Sequence, residues 1–308
     1  MSSESDLNAL QDLADRLVSE KRFEEAVELY RKLSEAYPSN ESILLSLAWA
    51  YRDWGRNEEA IACLERLLEK EIERRVFTGF AFDELVRLFR EKGLHDRLVS
   101  LCERVVEAQP ADPAFLSTLG EAYLEAGKTD EGIRVFRTLT EMEPGSSAYY
   151  CLLGRAHVQA GSADEAEECF EKAAVIDPGE SHVFLGRLGD IFARAGDLDR
   201  AARILRKASA EKPDISFYHC SLGDVLIRQG KLEEGHEAYR RAVACDPGSG
   251  EAYLNRLGRS LLDGGYGEEA AAVFEFLVDR RPAHPFYRQS LEEARKLVKK
   301  EKDRASEP

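Results

Sequence analysis

Two arginines stand directly before a Leu-Gly pair, Arg187 in "FLGRLGD" (184–190) and Arg256 in "YLNRLGR" (253–259). A guanidinium presents a flat fork of N–H donors that matches a carboxylate, so a charge recurring in one phrase is a candidate anion contact. Arg155, Arg194, Arg228 and Arg259 fall in or near copies of the same phrase, with Leu152, Val158 and Ile227 interleaved among them. Charge beside apolar side chains suits a polypeptide with acidic and hydrophobic residues. A second reading stays open from the residues alone. The arginines could pair with Asp190, Asp224 and Asp263 of neighbouring copies and only keep the surface soluble.

Other motifs suggest chemistry that their setting does not support. "AYLEAGKT" (122–129) ends on Gly127, Lys128 and Thr129, the letters of a relaxed phosphate loop. That chemistry needs a strand feeding a glycine-rich loop whose N–H groups cradle phosphates. Here the letters fall at the end of a helical pattern. Metal binding needs three or four ligands converging at about 2.0–2.3 Å. Cys63, Cys102, Cys151, Cys169, Cys220 and Cys245 are scattered, and the six histidines have no Cys or carboxylate partners at matching spacing. Acidic pairs such as Glu24–Glu25, Glu58–Glu59 and Asp164–Glu165 stand where negative charge favours the start of a helix. With no Ser/His/Asp order and no paired carboxylates set apart from the general acidity, no catalytic residue, metal ligand or cofactor site is expected. The chain reads as non-enzymatic.

The chain of 308 residues exceeds one ordinary compact domain, so two domains or an elongated repeat array is expected. Hydrophobic residues make up 44%, enough for a core, and 33% charged residues with only 10 prolines point to long solvated helices. A net charge of −15 argues against nucleic acid as a partner, although a locally basic groove is compatible with it. The first residues, "MSSESDLNALQDLADRL", lack the basic and apolar regions of an export signal. No run approaches the ~18 apolar residues that span a bilayer. A cytoplasmic location with reduced cysteines and no membrane insertion is the expectation.

The positioning elements emerge from self-similarity at a period of about 34 residues. One phrase reads small residue, aromatic or Leu, then Pro: Ala26, Tyr30, Leu33, Pro38; Ala166, Phe170, Ala173, Pro178; Ala270, Phe274, Leu277, Pro282. Upstream lies a second phrase, such as Leu119, Gly120, Tyr123, Gly127 or Leu222, Gly223, Leu226, Gly230. Within each copy apolar residues recur at three- and four-residue spacing, the mark of amphipathic helices. Glycines inside the first helix and small residues in the second allow the two to approach closely, which offsets a cost of roughly 1 kcal/mol per helical glycine.

This pattern resembles the tetratricopeptide repeat, in eight copies beginning near residues 7, 41, 79, 113, 147, 182, 216 and 251. The resemblance implies an all-α, right-handed α-solenoid of stacked helix-turn-helix units. Repeats 1–2 would occupy 7–74 and repeats 3–8 would occupy 79–284, with a capping helix over 285–303 and unstructured ends at 1–6 and 304–308. Ile72 replaces the closing proline of the second copy and four extra residues (75–78) follow, so the bend or seam is expected at 70–80.

The resemblance also implies that first helices line a groove. Arg155, Arg187, Arg194, Arg228, Arg256, Arg259, Leu152, Val158 and Ile227 would then face a partner peptide or helix. The set of Lys and Asn with which one subclass clamps chaperone tails is missing from any three consecutive copies. The expected function is a protein-interaction adaptor or scaffold whose partner offers an acidic or amphipathic segment. The alternative is a self-assembling homo-oligomer that uses Trp49, Trp54 and the irregular junction in repeats 1–3.

Overall fold

The computed structural model describes residues 4–305, and every regular element among them is helical. The expected unstructured ends are shorter than the sequence suggests. The first helix begins at Glu4 and the last runs to Ala305, while residues 1–3 and 306–308 lie outside the described residues.

The chain divides into two compact units, Met1–Val135 and Phe136–Pro308. The first contains α1 (Glu4–Ser19), α2 (Phe23–Ala36), α3 (Glu41–Asp53), α4 (Asn57–Arg74), α5 (Phe80–Glu91), α6 (His95–Ala108) and α7 (Pro113–Glu125). The division falls inside α8 (Thr129–Met142). The second unit contains α9 (Ser147–Gln159), α10 (Ala163–Ile176), α11 (Ser181–Ala195), α12 (Leu198–Glu211), α13 (Ser216–Arg228) and α14 (Leu232–Cys245). It closes with α15 (Gly250–Asp263), α16 (Gly267–Arg280) and α17 (Pro285–Ala305). The two helices of a repeat pack on each other, as α3 does on α4 and α13 on α14, and each first helix of the second unit also packs on the next first helix.

Local chemistry sets the boundaries. Second helices α2, α10, α12, α14 and α16 each stop two residues before a proline: Pro38, Pro178, Pro213, Pro247 and Pro282. The residue before a proline is driven out of the helical region, so the helix cannot continue. At the start of α7 the Asp112 carboxylate accepts from the N–H groups of Ala114 and Phe115, with Pro113 in the first turn, where no N–H is needed. The extra residues before α11 and α15 form single 3₁₀ turns, Pro178–Glu180 and Pro247–Ser249.

Glycine on a first helix receives a large side chain of the second. A Cβ at Gly154 would lie 2.7 Å from the Phe170 ring, at Gly223 2.7 Å from Tyr239, and at Gly258 2.7 Å from Phe274. The small residues also meet through the backbone, since a Cβ at Gly235 would lie 3.3 Å from the Gly223 carbonyl oxygen. Each ring is thereby buried, which is worth about 1.5–3 kcal/mol per large apolar side chain.

The junction at 70–80 is packed rather than loose. Without its proline, α4 runs to 18 residues and is capped by Arg75 in the left-handed region (φ 53°). Buried Glu71 folds the following turn back by accepting from the Thr78 amide (3.1 Å) and hydroxyl. Phe77 and Phe82 both set their edges against Phe115, at 5.2 and 5.1 Å. One buried cluster continues from Ala14 to Ala122 across this segment. The expectation of a seam at 70–80 is therefore corrected, because the inserted residues bury aromatic surface instead of parting the repeats.

Helix α17 sits as a further first helix. Tyr218 meets the His182 ring nitrogen Nδ1 at 2.7 Å, Tyr253 meets the Ser216 hydroxyl at 2.8 Å, and Tyr287 donates to Glu251 at 3.0 Å. Each bond joins a tyrosine in the first turn of one first helix to the start of the preceding one, and α17 continues the ladder. Where α9, α11, α13 and α15 carry glycine for a second helix to press on, α17 carries the exposed Glu292.

Candidate functional site: the first-helix face of the second unit

The row α9, α11, α13, α15 and α17 carries all nine expected site residues, and the structure sorts the arginines into engaged and exposed ones. Arg256 is engaged. Its Nε and Nη2 donate to Asp224 Oδ2 at 2.9 and 2.7 Å, and its guanidinium lies over the Phe217 ring at 5.9 Å. Arg259 pairs with Glu293 of α17 at 3.4 Å and lies over the Phe286 ring at 5.7 Å. Arg228 donates to the Ala193 carbonyl at 2.7 Å, which places a cation at the negative end of α11. Arg187 and Arg194 are exposed on α11 and make no hydrogen bond or ion pair within 4.0 Å among the described residues. Arg155 is also exposed and has an interaction of its own.

The two aspartates at the same register differ for a reason visible in the sequence. Asp224 accepts the Tyr239 hydroxyl on its other oxygen. Burial, together with the Asp224 charge and this bond, pushes the Tyr239 phenol far above its ordinary pKa. Asp15 accepts from Tyr30 in the same way, so an Asp followed fifteen residues later by Tyr marks this intra-repeat bond. In the sixth copy that second position is Leu205, and Asp190 has no phenol to bind. Its carboxyl is raised in pKa, chiefly by burial, with Arg194, Arg256 and a hydrogen bond from Ser221 opposing the shift.

In the first unit the corresponding arginines are neutralised. Arg52 pairs with Glu84 of the next first helix at 2.9 Å, Arg87 with Glu84 at 2.6 Å and with Glu91, and Arg90 with Glu121 and Glu125 at 3.1 and 2.9 Å. The unpaired positive charge that the expected site residues offer is thus concentrated on α11.

Apolar positions divide in the same manner. Leu152 and Val158 are half-buried. Ile227 is corrected: it is fully buried, and a Cβ at Gly235 would lie 2.8 Å from its Cγ1, so it belongs to the core and cannot face a ligand. Phe217 and Phe286 are 45% and 41% exposed on the same row. Phe286 was legible in the sequence only by matching "PFY" (285–287) to "SFY" (216–218), since both open a first helix in one register.

The phosphate-loop letters are used up by the helix end. Gly127 adopts φ +74°, its N–H donates to Leu124 and that of Lys128 donates to Tyr123, so these amides already have acceptors. Burial pushes the thiols of Cys63, Cys151, Cys169 and Cys220 up to about 11 and that of Cys102 to about 12. Thiols so protonated are poor nucleophiles and ligands. No group of three or more His, Cys, Asp or Glu among the described residues is arranged to hold a metal ion. No helix among them is long and apolar enough to cross a membrane.

Tetratricopeptide-repeat family models match residues 17–74, 117–181 and 187–250. The chain belongs to the tetratricopeptide repeat family. Its fold class is the all-α solenoid of stacked helix-turn-helix repeats. No curated protein matches it. Among solved structures it is similar to a tetratricopeptide repeat protein from Parabacteroides merdae, at 17% identity over 82% of this chain and 98% of that one, with a TM-score of 0.49. It is also similar to the APC/C hetero-tetramer Cut9–Hcn1 (15%, 92% and 55%, TM-score 0.44). MamA from Desulfovibrio magneticus RS-1, from residue 41 to its end, matches at 18% over 56% of this chain and 96% of that one (TM-score 0.41). Tetratricopeptide repeat proteins are protein-interaction scaffolds, and this chain shares their architecture.

Proposed function

We propose that the chain is a non-enzymatic adaptor, working in the cytoplasm, that holds an acidic or amphipathic segment of another protein along the first-helix groove of its second unit. The observation that carries this reading is the pair of exposed, unpaired arginines on α11, Arg187 and Arg194, in a family whose first helices line the binding groove. Arg187 has no carboxylate to release before meeting an incoming one and Arg194 feels only the charge of nearby Asp190, whereas Arg256 would have to release the bonded Asp224 first.

The double substitution R187E/R194E should weaken the partner about tenfold or more and leave the helical circular-dichroism spectrum and melting unchanged. Co-purifying proteins from the native cell supply the partner, and titration with each purified candidate reads the affinity. Equal affinity of wild type and double variant removes the groove reading.

A second reading rests on a separate observation. Trp49, Val76 and Phe80 of the first unit are large apolar side chains that stand 41%, 65% and 62% exposed, the latter two at the irregular junction. Trp54 does not belong to it, being half-buried beneath the Arg56 guanidinium at 5.1 Å. If these residues meet a second copy, light scattering of the full chain reports a mass rising with concentration, and W49A/F80A abolishes the rise. A constant monomer mass excludes this reading.

A further inference from the structure

On the row of first helices, Arg256 and Arg259 belong to one helix, α15, and reach in opposite directions. Arg256 lies over Phe217 of α13, and Arg259 over Phe286 of α17. Both arginines are held in place by carboxylates, Asp224 and Glu293. Their charges are therefore engaged, and their planar groups back two rings that remain nearly half exposed. A backed ring keeps a fixed orientation and loses little freedom on contact, which is what makes aromatic residues effective anchors. The third member of this register, on α15 between the rings, is Ala252, which is exposed and small. Two aromatic platforms thus flank a low point where another backbone can lie close.

Neighbouring helices pack at about 8–10 Å, so rings on α13 and α17 stand about 20 Å apart, and α11 lies about 10 Å beyond Phe217. An extended chain advances about 3.3 Å per residue. Taking the groove reading above as given, we infer that the partner is an extended acidic–apolar segment that places two bulky apolar side chains, about six residues apart, on Phe217 and Phe286. A carboxylate about three to four residues from the nearer one meets Arg187 on α11, and Arg194, about 10 Å further along that helix, meets a second acidic group of the same segment. The apolar contacts supply affinity, since burying rings and aliphatic side chains is favourable. The α11 charge sets which way the segment runs.

The test displays random peptides of about sixteen residues, long enough at this rise to reach across the row, and selects them on the full chain. Three proteins are compared: wild type, F217A/F286A and R187E/R194E. Exposed positions make loss of folding avoidable, and matched melting curves check it. Wild type should enrich acidic peptides with paired bulky apolar residues about six apart. F217A/F286A should lose that pair while keeping the acidic preference, and should bind the best wild-type peptide about a hundredfold more weakly, tenfold for each ring. R187E/R194E should lose the acidic preference and keep the apolar pair. The same apolar spacing and affinity on F217A/F286A overturn the two-ring inference and leave the groove reading standing. Identical selections on all three proteins, or no enrichment on any, overturn the groove reading and this inference with it.

Discussion

Replacing Asp224 with alanine should lower the stability of the α13–α15 segment by about 3 kcal/mol, more than any other single change among the groove charges. The carboxylate serves two groups at once, the guanidinium of Arg256 on one oxygen and the phenol of Tyr239 on the other. Tyr239 is 2% exposed, so its hydroxyl would be left without an acceptor away from water, at a cost of about 1–3 kcal/mol. Arg256 keeps 40% of its side chain exposed, so solvent recovers much of its loss. Asp224→Asn retains an acceptor for Tyr239 and should cost about half as much. Arrays of repeats need not unfold in one step, so amide hydrogen exchange across 216–263 is the appropriate measurement. Unchanged protection in Asp224→Ala would show that the pair is surface decoration.

The second large effect concerns the glycines. Gly258→Val should destabilise the last repeats by about 3 kcal/mol or more, because its Cβ alone would lie 2.7, 2.8 and 3.1 Å from atoms of the Phe274 ring. That ring is fully buried and has nowhere to move. Gly127→Ala is the contrasting case. No atom lies within 4 Å of the added Cβ, and the cost comes only from the left-handed backbone at φ +74°, about 1–2 kcal/mol. Thermal melting and exchange of both variants separate crowding from backbone strain. Equal losses would mean that the helix pair opens to admit the valine.

Much of the scaffold was legible because it repeats. A glycine that must accept Phe170, Tyr239 or Phe274 recurs at one register, and a proline two residues past every second helix except α4 recurs at another. Of the bend or seam expected at 70–80, the seam was misread, because a missing proline and four added residues look like a break. Only the packing of Phe77 and Phe82 on Phe115 and the buried Glu71 show it to be closed. Ile227 was misread for a related reason. Helical spacing places it on the groove stripe, but α13 is covered deeply enough by its neighbours to bury it.

The amino-acid sequence by itself determined the family, the register of the repeats, their paired helices and the concentration of arginine in the later copies. Those features depend on residue type and on separations of three, four and about 34 residues, which are properties of the chain. Tertiary structure decided which charges are available. Whether an arginine is satisfied depends on what the next helix presents within about 4 Å, across some thirty residues of intervening chain. Asp224 and Glu293 are presented to Arg256 and Arg259, while no carboxylate lies within 4.0 Å of Arg187 or Arg194 among the described residues. One phrase, Arg before Leu-Gly, therefore ends as a free cation in one repeat and as the backing of an exposed aromatic ring in another.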